Sequence, residues 1–185
     1  KAGMTVKSVN IGICGLGTVG GGTFSVLRDN AELITARAAA QLQVVHVGMR
    51  RDMPSADLSG IRVSRDIFEV ARDPEVDILV ELIGGTTVAR ELVEVAIVAG
   101  KHVVTANKAL LSVHGNEIFQ AAAKNNVEVG FEASVGGGIP IIKALKEGLV
   151  ANRINSIKGI MNGTANYILS QMTDHGTPFP EVLKE

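Results

Sequence analysis

The chain has 185 residues, of which 46% are hydrophobic and 20% charged, enough to bury a core and too apolar for an intrinsically disordered protein. A formal net charge of −1, no tryptophan and a single tyrosine give no electrostatic or stacking basis for a nucleic-acid or anionic-membrane partner. Cys14 is the only cysteine, and we find no membrane-length apolar run and no signal peptide, so we expect a cytoplasmic protein without disulfides.

The first motif is a glycine-rich turn with the spacing Gly15-x-Gly17-x-x-Gly20. It lies between an apolar strand that ends at Cys14 and a helix that includes Val19, the setting in which this spacing binds a dinucleotide. Such glycines allow a tight turn, approach of a pyrophosphate to the backbone, and close packing of the helix on the sheet. A purely structural turn is the alternative. The predicted cofactor contacts here are Gly15, Leu16, Gly17, Thr18, Val19 and Gly20.

The second predicted strand, 42–48, runs into Arg50-Arg51-Asp52. Folds that select NAD usually place an acid here for the ribose 2′-hydroxyl, and only Asp52 could play that role. Guanidinium groups instead match the geometry of a 2′-phosphate. A solvated basic pair is the alternative. The two arginines predict NADP as the preferred cofactor, with NAD still possible.

Two further strand ends carry candidate residues. A strand over 76–83 ends at Gly84-Gly85-Thr86, and we assign Gly85 and Thr86 as cofactor contacts because ligands bind beyond the carboxyl ends of parallel strands. The strand over 102–106 is followed by Lys108, placed to contact the nicotinamide, its ribose or a carboxylate substrate. A plain loop and a solvent-exposed lysine are the respective alternatives.

Alternating strands and helices continue to a strand over 127–133. This pattern predicts an α/β, Rossmann-like, doubly wound and mostly parallel sheet with helices on both faces. The pattern then changes to a glycine-rich turn, a helix and an alternating strand over 154–160, typical of an α+β domain. We predict a dinucleotide-binding domain over 4–134, with Met4 as the natural start, and an incomplete second domain over 135–185.

With these residues in place, the sequence resembles homoserine dehydrogenases from about Val6 onward. The fingerprint itself fits many dehydrogenases, whereas the later segments are specific in their order and spacing. The resemblance is carried by GLGTVG at 15–20, GGT at 84–86, GKHVVTANKALL at 100–111, FEASVGGGIP at 131–140 and GIMNGTANYIL at 159–169.

The resemblance implies NAD(P)-dependent interconversion of L-homoserine and L-aspartate 4-semialdehyde, in threonine, methionine and isoleucine biosynthesis. It implies a Rossmann domain followed by a substrate and dimerisation domain, so that the protein is a homodimer or a higher homo-oligomer. Lys108 matches the family's catalytic lysine beside the nicotinamide, and the turn Asn162-Gly163-Thr164 matches a segment that borders the substrate.

The resemblance also implies a monovalent-cation site, for an ion such as Na⁺. Its members are Glu132 and the backbone oxygens of Val135, Gly137 and Ile139. Hard oxygen ligands in a glycine turn suit such an ion.

Two departures from the family pattern stand out. Thr87-Val88 follows the Gly-Gly-Thr turn where the family often has an acid and a proline. The family's second catalytic lysine and its substrate carboxylates lie beyond Glu185, so we expect this polypeptide alone to be inactive. The alternatives are a non-catalytic dinucleotide-binding module that senses the cofactor or mediates assembly, and a relative of aspartate dehydrogenase or dihydrodipicolinate reductase.

Overall fold

The computed structural model describes residues 7–51, 56–160 and 162–184. The chain divides into two compact units, Lys1–Ile142 and Lys143–Glu185. The predicted domain boundary after residue 134 falls within the first unit and stays a prediction. Met4, Val6 and Asp52, which figure in the sequence analysis, lie outside the described residues.

The first unit is built on a six-stranded sheet in the order β3-β2-β1-β4-β5-β6, and every neighbouring pair of strands is parallel. The order reverses direction beside β1, which is the arrangement of a doubly wound dinucleotide-binding fold and confirms the predicted fold class. The strands are β1 (Lys7–Cys14), β2 (Ala40–Gly48), β3 (Arg62–Ser64), β4 (Ile78–Glu81), β5 (His102–Thr105) and β6 (Val129–Gly130).

In the described residues, helices follow β1, β3, β4 and β5. The first stretch of helix is broken at Asn30 into two pieces, and the third helix begins where the side chain of Asp66 accepts a hydrogen bond from Phe68 N–H. The helices of this unit are α1 (Thr18–Asp29), α2 (Ala31–Ala38), α3 (Ile67–Arg72), α4 (Thr87–Val98) and α5 (Lys108–Lys124).

The hydrophobic core has two parts because side chains alternate between the two faces of a strand. Ile13 and Val80 pack with Phe24 of α1 in one cluster. Cys14 and Leu79, their chain neighbours, pack in the other cluster with residues of α3, α4 and α5. Helices therefore cover both faces, and the carboxyl ends of the strands are left as the open edge.

Two predicted strands are shorter than expected by several residues. Only Ile78–Glu81 of the segment 76–83 is a strand, and only Val129–Gly130 of 127–133. Gly130 pairs with Val104, and β5 ends one residue later, so the rest of the last segment has no partner strand. It turns instead into a 3₁₀ helix over Glu132–Ser134.

The second unit holds helical segments in its described residues. The helix α6 (Ile141–Lys143) begins in the first unit and ends at Lys143, the first residue of the second unit. A π-helical stretch over Ala144–Gly148 follows, and then α7 (Gly163–Asp174) and α8 (Phe179–Val182). The strand predicted over 154–160 is wrong, because that segment is irregular. A strand needs a neighbour for its backbone groups, and the described residues of this unit offer none. Within the described ranges, no helix combines the length and apolar character that crossing a bilayer demands.

Candidate functional site

The glycine turn after β1 requires glycine at two positions for internal reasons. Gly15 has a φ of +95°, its N–H donates to Gly48 O at 2.8 Å, and a Cβ there would lie 2.6 Å from Leu82 O. A Cβ on Gly20 would lie 1.8 Å from Gly15 O. At Gly17, by contrast, a Cβ would meet nothing within 4 Å. A side chain at Gly17 would therefore clash with no protein atom, and glycine at this position leaves open space next to the backbone.

That open space lies at the N-terminus of α1. Gly17 is the N-cap residue and makes no side-chain capping bond, and the first turn carries no acidic side chain. Gly17, Thr18 and Val19 are exposed, whereas Leu16 is buried in the core cluster that includes Ile13. The first N–H groups of a helix have no partner within it, and the helix dipole adds about half a positive charge. This end of α1 is suited to a phosphate.

A group of cations follows β2 on one side of the turn. Cys14 and Gly48 are partners in the parallel register, so Arg50 and Arg51 leave the sheet beside the glycine turn. Both are exposed, and neither forms an ion pair within the described part of the chain. A third guanidinium, that of Arg65, donates to Met49 O at 3.4 Å. Arg65 was not predicted from the sequence, although a basic residue directly after a strand end was its signal.

The loops after β4 and β5 lie on the other side of the turn. Gly84 and Gly85 both have left-handed backbones, with φ of +73° and +75°, which favours glycine. Thr86 is the N-cap residue of α4, without a side-chain capping bond. Lys108 is the first residue of α5 and is exposed at the same edge of the sheet.

Asn107 joins these two loops. Its Nδ2 donates to Gly85 O at 2.6 Å, and its Oδ1 accepts from Leu110 N–H at 3.0 Å, which caps α5. One side chain therefore fixes both the start of the helix that carries Lys108 and the position of the glycine turn after β4.

Behind this junction lie buried polar groups that were not predicted from the sequence. The carboxylate of Glu81 accepts the N–H groups of Ile83 and Gly84 at 2.9 and 3.2 Å, and Thr105 Oγ1 donates to its other oxygen at 2.5 Å. Ser134 Oγ in turn donates to Thr105 O at 2.9 Å. The available signal was an acid closing an otherwise apolar strand, three residues before the first of two consecutive glycines.

The candidate cation loop follows β6. Glu132 Oε1 accepts Ile142 N–H at 2.9 Å, its backbone oxygen accepts Val135 N–H at 3.2 Å, and Gly137 has a φ of +61°. Ile139 O accepts Ile141 N–H at 2.8 Å. The described residues contain no group of three or more His, Cys, Asp or Glu side chains able to hold a metal ion, so a cation here would depend on backbone oxygens. An all-oxygen set suits a hard cation.

The predicted substrate turn belongs to the second unit. Asn162 is the N-cap residue of α7, and its Oδ1 accepts Ala165 N–H at 2.9 Å. Gly163 and Thr164 begin that helix, and all three residues are exposed.

The order of the strands sets the layout of the first unit's candidates. The arginines follow β2, the glycine turn follows β1, and Gly85, Thr86 and Lys108 follow β4 and β5. The phosphate-binding geometry is therefore central, with cations on one side and a polar loop junction on the other. That is the layout needed by an extended ligand with phosphates in its middle.

Two family profiles cover most of the chain. Residues 15–132 match the profile described as "Homoserine dehydrogenase, NAD binding domain", and residues 140–185 match the one described as "Homoserine dehydrogenase".

Individual relatives of this chain carry the same family name as the two profiles. A homoserine dehydrogenase of Pseudomonas aeruginosa is 58% identical over 180 residues, which cover 97% of this chain and 42% of that protein. The crystal structure of a homoserine dehydrogenase from Thiobacillus denitrificans matches with a TM-score of 0.86 at 56% identity, over 96% of this chain and 42% of that one. A hyperthermophilic archaeal homoserine dehydrogenase in complex with NADPH matches with a TM-score of 0.76 at 26% identity, over 96% and 60% of the two chains.

Proposed function

This chain belongs to the homoserine dehydrogenase family, and on that premise we propose that the whole protein interconverts L-homoserine and L-aspartate 4-semialdehyde with NADP. The reaction serves threonine, methionine and isoleucine biosynthesis in the cytoplasm. The chain spans 42% of the length of its Pseudomonas relative, and the activity is a proposal for the whole protein. The observation that carries it is the open N-terminus of α1, flanked by Arg50 and Arg51 on one side and by Lys108 on the other.

The residues present fit a dinucleotide phosphate. The clear space at Gly17 accepts a pyrophosphate against backbone N–H groups, while Gly15 and Gly20 keep the turn tight. Arg50 and Arg51 take the 2′-phosphate, since a guanidinium offers it paired donors. NADP is therefore the preferred cofactor.

Lys108 is the catalytic residue of this unit. When bound, the nicotinamide supplies the hydride chemistry. The Lys108 ammonium, carried at the start of a helix capped by Asn107, orients and polarises the reacting oxygen of the substrate. Gly85 and Thr86 hold the nicotinamide half of the cofactor.

Three further assignments complete the proposal. Asn162, Gly163 and Thr164 border the substrate. A monovalent cation such as Na⁺ binds Glu132 together with the backbone oxygens of Val135, Gly137 and Ile139. The protein is a homo-oligomer, a homodimer at least, and the exposure of Ile157 and Leu169 in the second unit supports this.

The reaction is tested by following homoserine-dependent reduction of NADP by the whole protein. Lys108→Ala should lower kcat/KM by about 100-fold or more, while Lys124→Ala, an exposed lysine at the far end of the same helix, should leave it unchanged. Tight binding of NADP by a whole protein that turns over no homoserine would favour the non-catalytic module.

A further inference from the structure

Glu81 is a buried acid for which the proposed reaction has no use. It is the last residue of β4, its exposed fraction is zero, and the strand before it is apolar. Burying a carboxylate is unfavourable unless hydrogen bonds replace its water. A leucine or valine would satisfy the core at this position, so the acid is present for what it binds.

Both oxygens of Glu81 are directed at the loops of the candidate site. Oε1 accepts Ile83 N–H and Gly84 N–H, the two amides that lead into the glycine turn after β4. Oε2 accepts the hydroxyl of Thr105, at the end of β5. Glu81 therefore joins the ends of two adjacent strands beneath the loops that follow them.

Thr105 extends the connection to the surface. Its Oγ1 accepts Asn107 N–H at 3.0 Å, and Asn107 Nδ2 donates to Gly85 O at 2.6 Å. The path from Glu81 through Thr105 and Asn107 thus returns to the same glycine turn from its other side. Gly84 and Gly85 have no side chains of their own to fix this turn, and their backbones have wide conformational freedom.

We propose that Glu81, acting through Thr105, is a positioning residue that sets the nicotinamide end of the cofactor site. The inference rests on the proposed function, because it takes the loops after β4 and β5 to hold that half of the dinucleotide. Glu81 is buried and does not touch the cofactor. The loops it fixes lie across β1 from Arg50, so the adenine end of the site is independent of it.

Because the adenine end of the site does not depend on Glu81, two ligands can test the proposal. Calorimetry on the whole protein compares NADP with adenosine 2′,5′-bisphosphate, a ligand that keeps the adenine and the 2′-phosphate and lacks the nicotinamide riboside. Thr105→Val removes the hydroxyl at constant volume, and Thr105→Ser, the matched control, retains it. We expect Thr105→Val to weaken NADP about tenfold and the bisphosphate less than about twofold, with Thr105→Ser restoring the wild-type ratio.

The outcomes separate the inference from the proposed function. Equal loss of both ligands, no loss of either, or a wild type that binds NADP no better than the bisphosphate would overturn the role of Glu81. A wild type that binds neither ligand would contradict the proposed function itself. If Thr105→Val does not fold, Asn107→Asp serves instead, because it keeps the Oδ1 that caps α5 and loses the amide that donates to Gly85. An unchanged ratio in that variant also overturns the inference.

Discussion

The imidazole Nδ1 of His46 lies 2.7 Å from Oδ2 of Asp73, and both side chains are buried. Arg62 contacts the same carboxylate oxygen, and Glu75 N–H donates to the other at 3.0 Å. His46 belongs to β2, and its burial makes it a packed residue of the sheet. The acid that accompanies it comes from the end of α3, a connection between residues 27 positions apart.

This group makes the stability of the chain depend on acid pH. Burial alone would raise the pKa of Asp73, but the hydrogen bonds from Glu75 N–H and His46, together with the charge of Arg62, hold that pKa below its usual value. A lowered folded-state pKa stabilises the fold above the unfolded value of about 3.9, and this stabilisation is lost as the pH falls through the folded value. Asp73→Asn should lower the free energy of unfolding at pH 7 by about 3 kcal/mol and flatten its decline below pH 4. Urea unfolding across this range, with the exposed Asp29→Asn as control, measures both. An acid dependence as steep as that of wild type would rule out Asp73 as its source.

A substitution at Gly17 should abolish cofactor binding without affecting the stability of the fold. Asparagine is a good N-cap residue, and a side chain at Gly17 meets no protein atom within 4 Å, so Gly17→Asn should change the free energy of unfolding by less than about 0.5 kcal/mol. The same side chain would occupy the approach of the pyrophosphate, and NADP binding should be lost. Calorimetry and thermal unfolding on one preparation test this. Retained affinity would disprove the placement of the pyrophosphate.

Replacing Gly20 and Gly22 by alanine should have opposite effects on stability. A Cβ on Gly20 would lie 1.8 Å from a carbonyl oxygen, so Gly20→Ala should displace α1 and reduce both stability and NADP binding. A Cβ on Gly22 meets nothing within 4 Å, and Gly22→Ala should stabilise α1 by about 0.5–1 kcal/mol. Chemical denaturation of the two variants gives the comparison. If both substitutions changed the free energy of unfolding by similar amounts in the same direction, α1 would be able to move away from Gly15 O without cost.

Arg50 should distinguish the two cofactors. Removing a charge-assisted contact to the 2′-phosphate by Arg50→Ala should weaken NADP about 10- to 100-fold and leave NAD unchanged, since NAD has no phosphate there. Arg37→Ala, an exposed arginine in the last turn of α2, is the charge-matched control. Loss of NAD affinity by the same factor would assign Arg50 a role other than phosphate recognition.

Cys14 should be inert in the folded chain. Burial, and to a lesser extent the charges of Glu81 and Asp66, raise the pKa of its thiol far above the ordinary value. Because the thiolate is the reactive form, alkylation by iodoacetamide at pH 8 should be undetectable in native protein and rapid in urea. Mass spectrometry of the two samples reads the result. Comparable rates would mean that β1 opens readily.

Local patterns in the sequence predicted the local structure of those parts of the candidate site that are contiguous in the chain. The strand, glycine turn and helix around Gly17, and the exposed arginines after β2, are each determined within a few residues. Two kinds of feature escaped. The link from Glu81 to Thr105 depends on pairing of strands 24 residues apart, which no local pattern encodes. Alternation over 154–160 has the period of a strand, but a strand also needs a neighbour, and the described residues of that unit supply none.

The short strands at both margins of the sheet affect how the protein behaves at high concentration. In the described part of the chain, β3 has three residues and β6 has two, and these are the outermost strands. An exposed strand recruits another molecule through its row of unpaired backbone groups, and such a short row gives a poor template for that pairing. The 3₁₀ helix at Glu132–Ser134 then turns the chain out of the ladder. Aggregation by edge-to-edge pairing of strands is thus disfavoured at either margin of the nucleotide-binding unit.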